Sequence, residues 1–225
     1  MTTRRVFEHE EVDLGYNDLD ANTGKSGRVY TAPDGSKFPS VTTVLSIINE
    51  EAIRAWRNRV GEDEANRVGH RASNRGTAVH SIIERYLDNN LEYDKDVMPD
   101  VLSTFKDVQP ILDEHISEIL GLEAPLYSKH LKLAGRVDCV GVFDNKLSII
   151  DFKTSRKLKK KEWIHNYFAQ ASAYAIMFEE RTGIPVPQLV ILIAVDNEQP
   201  QVFIEKRDDW TDLLFKAKQI YESRV

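Results

Sequence analysis

Apolar residues recur at helical spacing through the first half of the chain. This periodicity predicts a short helix opening at Val41 or Thr42, followed by helices over about Glu51–Val60, Glu62–Leu87 and Asp100–Leu120. Gly69 and Gly76 are points at which the third helix could break, and Pro110 could kink the fourth. The fourth helix carries its apolar stripe at Val101, Leu102, Phe105, Val108, Leu112, Ile116, Ile119 and Leu120.

The second half of the chain has short β-branched runs separated by two further helical stretches. Strands are predicted over Leu122–Ser128, Leu131–Phe143, Leu147–Lys153, Gln188–Val195 and Gln201–Glu205, with helices over about Trp163–Thr182 and Asp208–Glu222. A helix that crosses between runs of strands predicts a fold of the α/β (α+β) class, in which helices flank a central mixed β-sheet.

The N-terminal region has a different character. Residues 1–27 are polar and lack a period, and Pro33-Asp34-Gly35 predicts the turn of a small hairpin. We therefore expect residues 1–61 to form an arm, a small hairpin and helices packed on the main domain. Residues 62–225 are expected to form that domain.

The two strands around position 145 carry the most informative pattern. Asp144-Asn145 suits a two-residue turn, because both residue types tolerate positive φ. That turn sets a register in which paired residue numbers sum to 289, so Asp138 is expected opposite Asp151. Lys153 lies on the same face, two residues further along the strand.

Two carboxylates directly across a strand pair repel each other. The apolar Ile149, Ile150 and Phe152 indicate that this strand is largely buried, where unpaired charges are costly. A divalent cation such as Mg²⁺ would neutralise Asp138 and Asp151, and Lys153 beside it points to phosphate chemistry. The alternative is a solvated hairpin end with two surface acids, which the apolar neighbours disfavour.

Composition limits the classes of function. The chain has 225 residues, 41% of them apolar, and a net charge of −6, so a basic coat is excluded but a local basic patch is not. Its single cysteine, Cys139, falls on the opposite face of the hairpin, fits a reducing compartment and excludes a thiolate-held iron–sulfur cluster within one chain. Neither a signal peptide nor a membrane span is evident. These features favour a cytoplasmic protein, and an acidic N-terminus without a mitochondrial presequence favours a bacterial or viral origin.

Two basic groups could steer a polyanion towards the hairpin, although charge runs are usually solvated. The first follows the hairpin directly and comprises Arg156, Lys157, Lys159, Lys160 and Lys161. The second precedes His80 and comprises Arg67, His70, Arg71 and Arg75. In addition, Trp56 is flanked by Arg54, Arg57 and Arg59, a combination that single-strand binders use for stacking.

Four further residues have polar side chains with both a functional and a structural interpretation. His80 follows Gly76 by one helical turn, where glycine would allow close approach of a ligand; a histidine at the edge of the core is the alternative. Gln170 and Tyr174 share one helix face, which suits a phosphate backbone, a buried lysine or an ordinary helix–sheet interface. Glu123, before the hairpin, is a further metal ligand or a strand-edge acid.

Taken together, these residues resemble the PD-(D/E)XK nuclease superfamily in its RecB-like branch. The branch shows G-x-x-x-H, G-x-x-D, D-x-K and Q-x-x-x-Y motifs in order, matched here by Gly76 to His80, Gly135 to Asp138, Asp151 to Lys153 and Gln170 to Tyr174. The stretch from Pro39 to Leu45 is similar to the lead-in of mitochondrial genome maintenance exonucleases and their phage relatives. The chain departs from the pattern in having Val137 before Asp138 and in lacking the cysteine cluster of the iron–sulfur members.

The resemblance implies a restriction-endonuclease-like core with helical N-terminal additions, and hydrolysis of phosphodiesters with Mg²⁺ or Mn²⁺. Asp138, Asp151 and the Phe152 carbonyl would hold the ion, with His80 and Glu123 as further ligands.

Lys153 would orient the attacking water and offset developing charge, while Gln170 and Tyr174 would position the strand or Lys153. The expected activity is that of a DNA exonuclease in replication, recombination or repair, acting on DNA that has a free end or is single-stranded. A structure-specific or flap endonuclease and a catalytically inactive DNA-binding module remain alternatives.

Overall fold

The protein is described here by a computed structural model, which covers residues 4–224. It contains nine strands: β1 (Glu8–His9), β2 (Asp20–Gly24), β3 (Gly27–Thr31), β4 (Lys37–Pro39), β5 (Ile116–Ser128), β6 (Leu133–Phe143), β7 (Lys146–Ser155), β8 (Gln188–Val195) and β9 (Gln201–Lys206). Its α-helices are α1 (Val41–Leu45), α2 (Glu50–Val60), α3 (Glu62–Leu87), α4 (Pro99–His115), α5 (His165–Thr182) and α6 (Thr211–Glu222), with 3₁₀ turns at Ser46–Asn49, Lys161–Trp163 and Arg207–Trp210.

Six strands form a central mixed sheet in the order β1-β5-β6-β7-β8-β9. The β1–β5 and β7–β8 pairs are parallel and the other pairs are antiparallel. Helix α5 makes the crossover between β7 and β8, as a parallel pair requires. A second, antiparallel sheet contains β2, β3 and β4, and a bridge from Ser40 to Ala134 attaches it to β6. The mixed sheet flanked by helices confirms the predicted fold class.

The two faces of the central sheet bury separate apolar clusters. On one face, Ile150 and Phe152 of β7 pack with residues of α3 and α4 such as Ile82 and Phe105. On the other face, Ile149 packs with residues of α1, α5 and α6. Successive side chains of a strand point to opposite faces, so this alternation places Asp151 on the α5 side.

The hairpin between β6 and β7 has the predicted turn and register, except at the end that carries Asp138 and Asp151. Asp144 and Asn145 have φ of 50° and 63°, as a tight turn with two left-handed residues requires. Val140 pairs with Ile149, but the ladder ends at the next pair and does not include Asp138 and Asp151. The hydrogen-bonded ladder thus keeps the predicted register but stops one pair short of Asp138 and Asp151, whose direct pairing stays a prediction. At this end, the Phe152 amide donates to Asp138 Oδ2 at 2.8 Å, so a side chain replaces the backbone partner.

Three local expectations were wrong. Helix α4 ends at His115, and the last three residues of the predicted helical stripe, Ile116, Ile119 and Leu120, lie in strand β5 instead. Helix α3 continues unbroken through both glycines. The polar residues 4–27 include β1 and β2, because their partners are supplied by β5 and β3 rather than by local sequence. Among the described helices, none combines the length and apolar character needed to cross a membrane.

Candidate active site

A cleft of about 710 Å³ lies between α3 and the small N-terminal sheet. Its walls come from both halves of the chain, which places residues far apart in sequence around one space. The cleft is lined by Arg28, Tyr30, Ser40, Thr42, Gly76, Thr77, His80, Ser81, Glu84, Glu123, Gly135, Arg136, Asp138, Lys153, Gln170 and Tyr174. Six of the predicted catalytic or metal-binding side chains are among them, and Asp151 lies buried beside Lys153.

Three potential metal ligands meet in this cleft from three different elements. His80 comes from α3, Glu123 from β5 and Asp138 from β6, and one ligand atom of each lies within 4.8 Å of the others. His80 Nδ1 and Asp138 Oδ2 are 3.6 Å apart. Two carboxylates and an imidazole form a donor set that suits a divalent ion. The nitrogen ligand makes the site softer than the all-oxygen sets that Mg²⁺ favours.

Glu123 is held in an unusual backbone conformation within β5. Its φ is 46°, in the left-handed region that costs a residue with a side chain about 1–2 kcal/mol. The Arg136 guanidinium donates to the Glu123 carbonyl at 2.6 Å and so holds this conformation. Burial, together with the charge of Asp138, raises the pKa of Glu123 to about 7. A site that concentrates acidic groups in this way is suited to a cation.

Asp151 and Lys153 form an ion pair at the floor of the cleft. Lys153 Nζ contacts Asp151 Oδ2, and Gln170 Nε2 donates to Asp151 Oδ1 at 3.1 Å. Burial raises the pKa of Asp151 to about 6, with the Lys153 ammonium opposing it. Burial lowers the pKa of Lys153, but the carboxylates of Asp151 and Asp138 outweigh burial, and the pKa is raised overall. Both groups are therefore charged at neutral pH.

Asp151 stands beside the three clustered ligands rather than among them. Its two carboxylate oxygens contact Gln170 Nε2 and Lys153 Nζ. Its role as a metal ligand, like that of the Phe152 carbonyl, therefore stays a prediction.

Tyr174 closes one side of the cleft against Gly135. The phenol is almost completely buried, and burial raises its pKa well above the ordinary value, so it stays neutral. A Cβ on Gly135 would lie 2.7 Å from Tyr174 Cε1, closer than side chains pack. The glycine of the G-x-x-D motif is thus explained by contact with the tyrosine of the Q-x-x-x-Y motif.

Two residues near Lys153 and Glu123 were missed by the sequence argument. The Tyr167 ring centroid lies 5.2 Å from Lys153 Nζ, within the range of a cation–π contact. Tyr167 precedes Gln170 by three residues and so shares its helix face, a signal that could have identified it. Arg136 supports Glu123, but nothing in its local sequence marks that role.

The basic residues fall into two structural groups. Arg67, Arg71, Arg75, Arg156 and Lys159 line a second groove, which brings together residues of both basic groups. Lys157, Lys160 and Lys161 do not line it; Lys161 pairs with Glu205, and Lys160 lies over the Trp163 ring at 5.4 Å. Near Trp56, Arg57 pairs with Glu62. A role for Lys157, Lys160 and Lys161 in binding DNA stays a prediction.

The fold and this cleft define a nuclease of a known superfamily. The family model for the PD-(D/E)XK nuclease superfamily matches residues 91–223, more than half of the chain, and the chain belongs to that superfamily. The match confirms the resemblance to the superfamily, while the RecB-like branch stays a prediction. The match includes Glu123, Asp138, Asp151 and Lys153 but begins after His80.

The individual proteins that the chain resembles share less than a third of its residues in the aligned regions. Mitochondrial genome maintenance exonuclease 1 of Mus musculus is 29% identical over 132 residues, which cover 55% of this chain and 39% of the mouse protein. The chain thus spans well under half the length of that relative. Among solved structures, a "Putative exonuclease" from Eubacterium rectale is 14% identical with a TM-score of 0.45, covering 67% of this chain and 65% of its own. SSO0001 is 13% identical with a TM-score of 0.32, covering 64% and 73%.

Proposed function

We propose that this nuclease is a divalent-metal-dependent DNA exonuclease acting in replication, recombination or repair. The observation that carries the proposal is the clustering of His80, Glu123 and Asp138 beside the Lys153–Asp151 pair in one open cleft. This arrangement combines a potential cation-binding site with a lysine that lines the same cleft.

The donor set fits Mn²⁺ or Mg²⁺, with His80, Glu123 and Asp138 as the residues that would hold it. When bound, such an ion polarises the scissile phosphate and lowers the pKa of the attacking water. The Phe152 amide fixes Asp138 in orientation, as Arg136 fixes the backbone of Glu123. Ligands held in this way lose little conformational freedom when they bind a cation.

Lys153 supplies the positive charge that acts on the phosphate. Its side chain is 19% exposed and lines the cleft, whereas the side chain of Asp151 is 1% exposed. Gln170 holds Asp151, and Tyr167 packs on the ammonium, so Lys153 is positioned before substrate arrives. A preoriented ammonium stabilises charge that builds up as the bond breaks.

The exonuclease assignment is supported by the name of the mouse relative and by the shape of the cleft. Residues of α3 form one wall, and Arg28, Tyr30 and Thr42 of the N-terminal region contribute to the lining from another direction. A strand end can enter such a walled space more readily than a continuous duplex can. The proposed substrate is therefore DNA with a free end or a single-stranded stretch.

Cleavage assays with Mn²⁺ or Mg²⁺ test the proposal on linear and covalently closed circular single-stranded DNA. We expect nucleotide release from the linear substrate, no cleavage of the circle and loss of activity with chelator. Asp138→Asn should abolish release, whereas Asp107→Asn, which neutralises an exposed acid on α4, should not. Cleavage of the circle would indicate an endonuclease, and inactivity on every DNA would indicate a DNA-binding module.

A further inference from the structure

A second groove, of about 320 Å³, lies beside the catalytic cleft. One wall is the first half of α3, where Arg67, Arg71 and Arg75 recur every four residues and so share one face. The other wall is the segment after β7, which contributes Arg156 and Lys159. The two basic groups thus face a common space.

The groove carries a surplus of positive charge. Five cationic residues line it with two acids, Glu64 and Asp196. Glu64 pairs with Arg67 at 2.7 Å, and Asp196 pairs with Arg75. Within residues 4–224, none of the salt bridges involves Arg71, Arg156 or Lys159. Three cations are thus left for an anionic ligand in a chain whose net charge is −6.

The segment after β7 is anchored to its neighbours. The Asp196 amide donates to the Ser155 carbonyl at 2.9 Å, and Ser155 Oγ donates to the Lys157 carbonyl at 2.6 Å. The Gln201 side chain accepts from the Lys159 amide at 2.7 Å and donates to its carbonyl at 3.0 Å. The backbone that carries Arg156 and Lys159 is therefore held in place before a ligand binds, which reduces the entropic cost of binding.

The groove and the cleft meet at two neighbouring pairs of residues. Arg75 and Thr154 line the groove, while the adjacent Gly76 and Lys153 line the cleft. A Cβ on Gly76 would lie 3.6 Å from Thr154 Oγ1, so the two walls touch at this point. Arg71 precedes His80 by nine residues on one unbroken helix, which is about 13.5 Å at a rise of 1.5 Å per residue. A stacked strand carries about four phosphates over that length.

We propose that this groove binds the backbone phosphates of a single DNA strand about four nucleotides from the bond that is cut. The identification of the strand as a substrate rests on the proposed nuclease function. The binding of phosphates in the groove is inferred separately, from the charge of the groove and its anchored backbone. Its volume lies at the lower end of the range for pockets that hold one small ligand. A groove of this volume suits one nucleotide unit and leaves little room for both strands of a duplex.

Equilibrium binding in EDTA, where no cleavage occurs, tests the groove directly. The double variant Arg71→Gln/Arg156→Gln removes two exposed cations from it, and Lys146→Gln/Lys216→Gln removes two exposed cations outside it. For a 12-nucleotide single strand, we expect the groove variant to lose at least about tenfold in affinity at low salt. The slope of log K against log salt should fall by about 1.4, because each lost phosphate contact accounts for about 0.7.

An unchanged salt slope, or an equal loss in the control variant, would overturn the proposal. So would a loss confined to blunt duplex DNA, since the groove would then follow a duplex. In Mn²⁺, wild type should favour the 12-nucleotide strand over a trinucleotide in kcat/KM, and the groove variant should lose most of that preference. If wild type cuts no DNA, the proposed nuclease function fails, while binding in EDTA still decides whether the groove holds phosphates.

Discussion

The Tyr174 phenol occupies the space into which a side chain at position 135 would project. A Cβ on Gly135 would be 2.7 Å from Tyr174 Cε1 and 2.9 Å from its hydroxyl oxygen. This contact joins β6, which carries Asp138, to α5, which carries Gln170. The separation of the strand that carries Asp138 from the helix that carries Gln170 and Tyr174 therefore depends on the absence of a side chain at position 135.

Gly135→Ala should destabilise the protein by about 1–3 kcal/mol, because the buried ring cannot yield without shifting α5 or its own rotamer. Urea unfolding measures this change, and Tyr174→Ala provides the second arm of a double-mutant cycle. Once the ring is removed, adding Gly135→Ala should cost much less. Equal costs in both backgrounds would show that Tyr174 is not the reason for the glycine.

The left-handed backbone conformation of Glu123 predicts that this residue lowers the stability of the fold while its carboxylate is needed for activity. Glu123→Gly and Glu123→Ala both remove the carboxylate, but only glycine relieves a φ of 46°. The glycine variant should be more stable than the alanine variant by about 1 kcal/mol in urea unfolding, and both should be inactive. An alanine variant at least as stable as the glycine variant would mean that the backbone at this position is not strained.

Metal-free protein should lose stability as pH rises from about 4.5 to about 7. The pKa of Glu123 is raised from 4.5 to about 7 and that of Asp151 from 3.8 to about 6. In this window the folded state binds more protons than the unfolded state, so the free energy of unfolding falls as pH increases. Urea unfolding in EDTA should show a smaller decline for Glu123→Gln than for wild type. Parallel pH curves for the two proteins would contradict this assignment.

The hairpin was predictable because residues close together in the sequence determine its turn and its register. The Asp144-Asn145 turn and the alternation around Val140 and Ile149 specify the register without help from distant residues. Strand alternation also predicted Lys153 on the same face as Asp151, and the two residues form an ion pair. The resemblance assigned Gln170 to the strand or Lys153, whereas its side-chain amide donates to Asp151.

What escaped prediction depends on partners distant in sequence. Strand β1 has only two residues and exists because β5 lies beside it. The side-chain partners of Asp151 are Lys153 and Gln170, and the ladder between the two strands ends before it reaches Asp138. The conformation of Glu123 depends on a hydrogen bond from Arg136, thirteen residues away.

Gly76 should tolerate a side chain in folding but not in catalysis. A Cβ there meets only Thr154 Oγ1, at an ordinary 3.6 Å, and otherwise faces the cleft. Gly76→Ala should therefore raise stability by about 0.5–1 kcal/mol, because alanine favours a helix interior, while it lowers kcat/KM. Gly69→Ala, in the same helix with open space around it, should raise stability and leave kcat/KM unchanged. Equal kcat/KM for both variants would show that substrate does not approach Gly76.

Metal binding and charge stabilisation are assigned to different residues, so a metal titration can separate them. His80, Glu123 and Asp138 form the ligand cluster, and Lys153 faces the same cleft without belonging to it. Removing a ligand should weaken the site for the ion. Removing the ammonium should leave the site able to bind the ion and raise the barrier of the chemical step.

The most direct test is the single-turnover rate of DNA cleavage as a function of Mn²⁺ concentration, for wild type, Asp138→Asn and Lys153→Ala. Lys153→Ala should lower the saturating rate by about 10²-fold or more without raising the Mn²⁺ concentration at half-saturation. Asp138→Asn should raise that concentration or abolish cleavage at every concentration tested. Wild-type rates that do not depend on Mn²⁺, or a Lys153→Ala variant with the full saturating rate, would contradict the account.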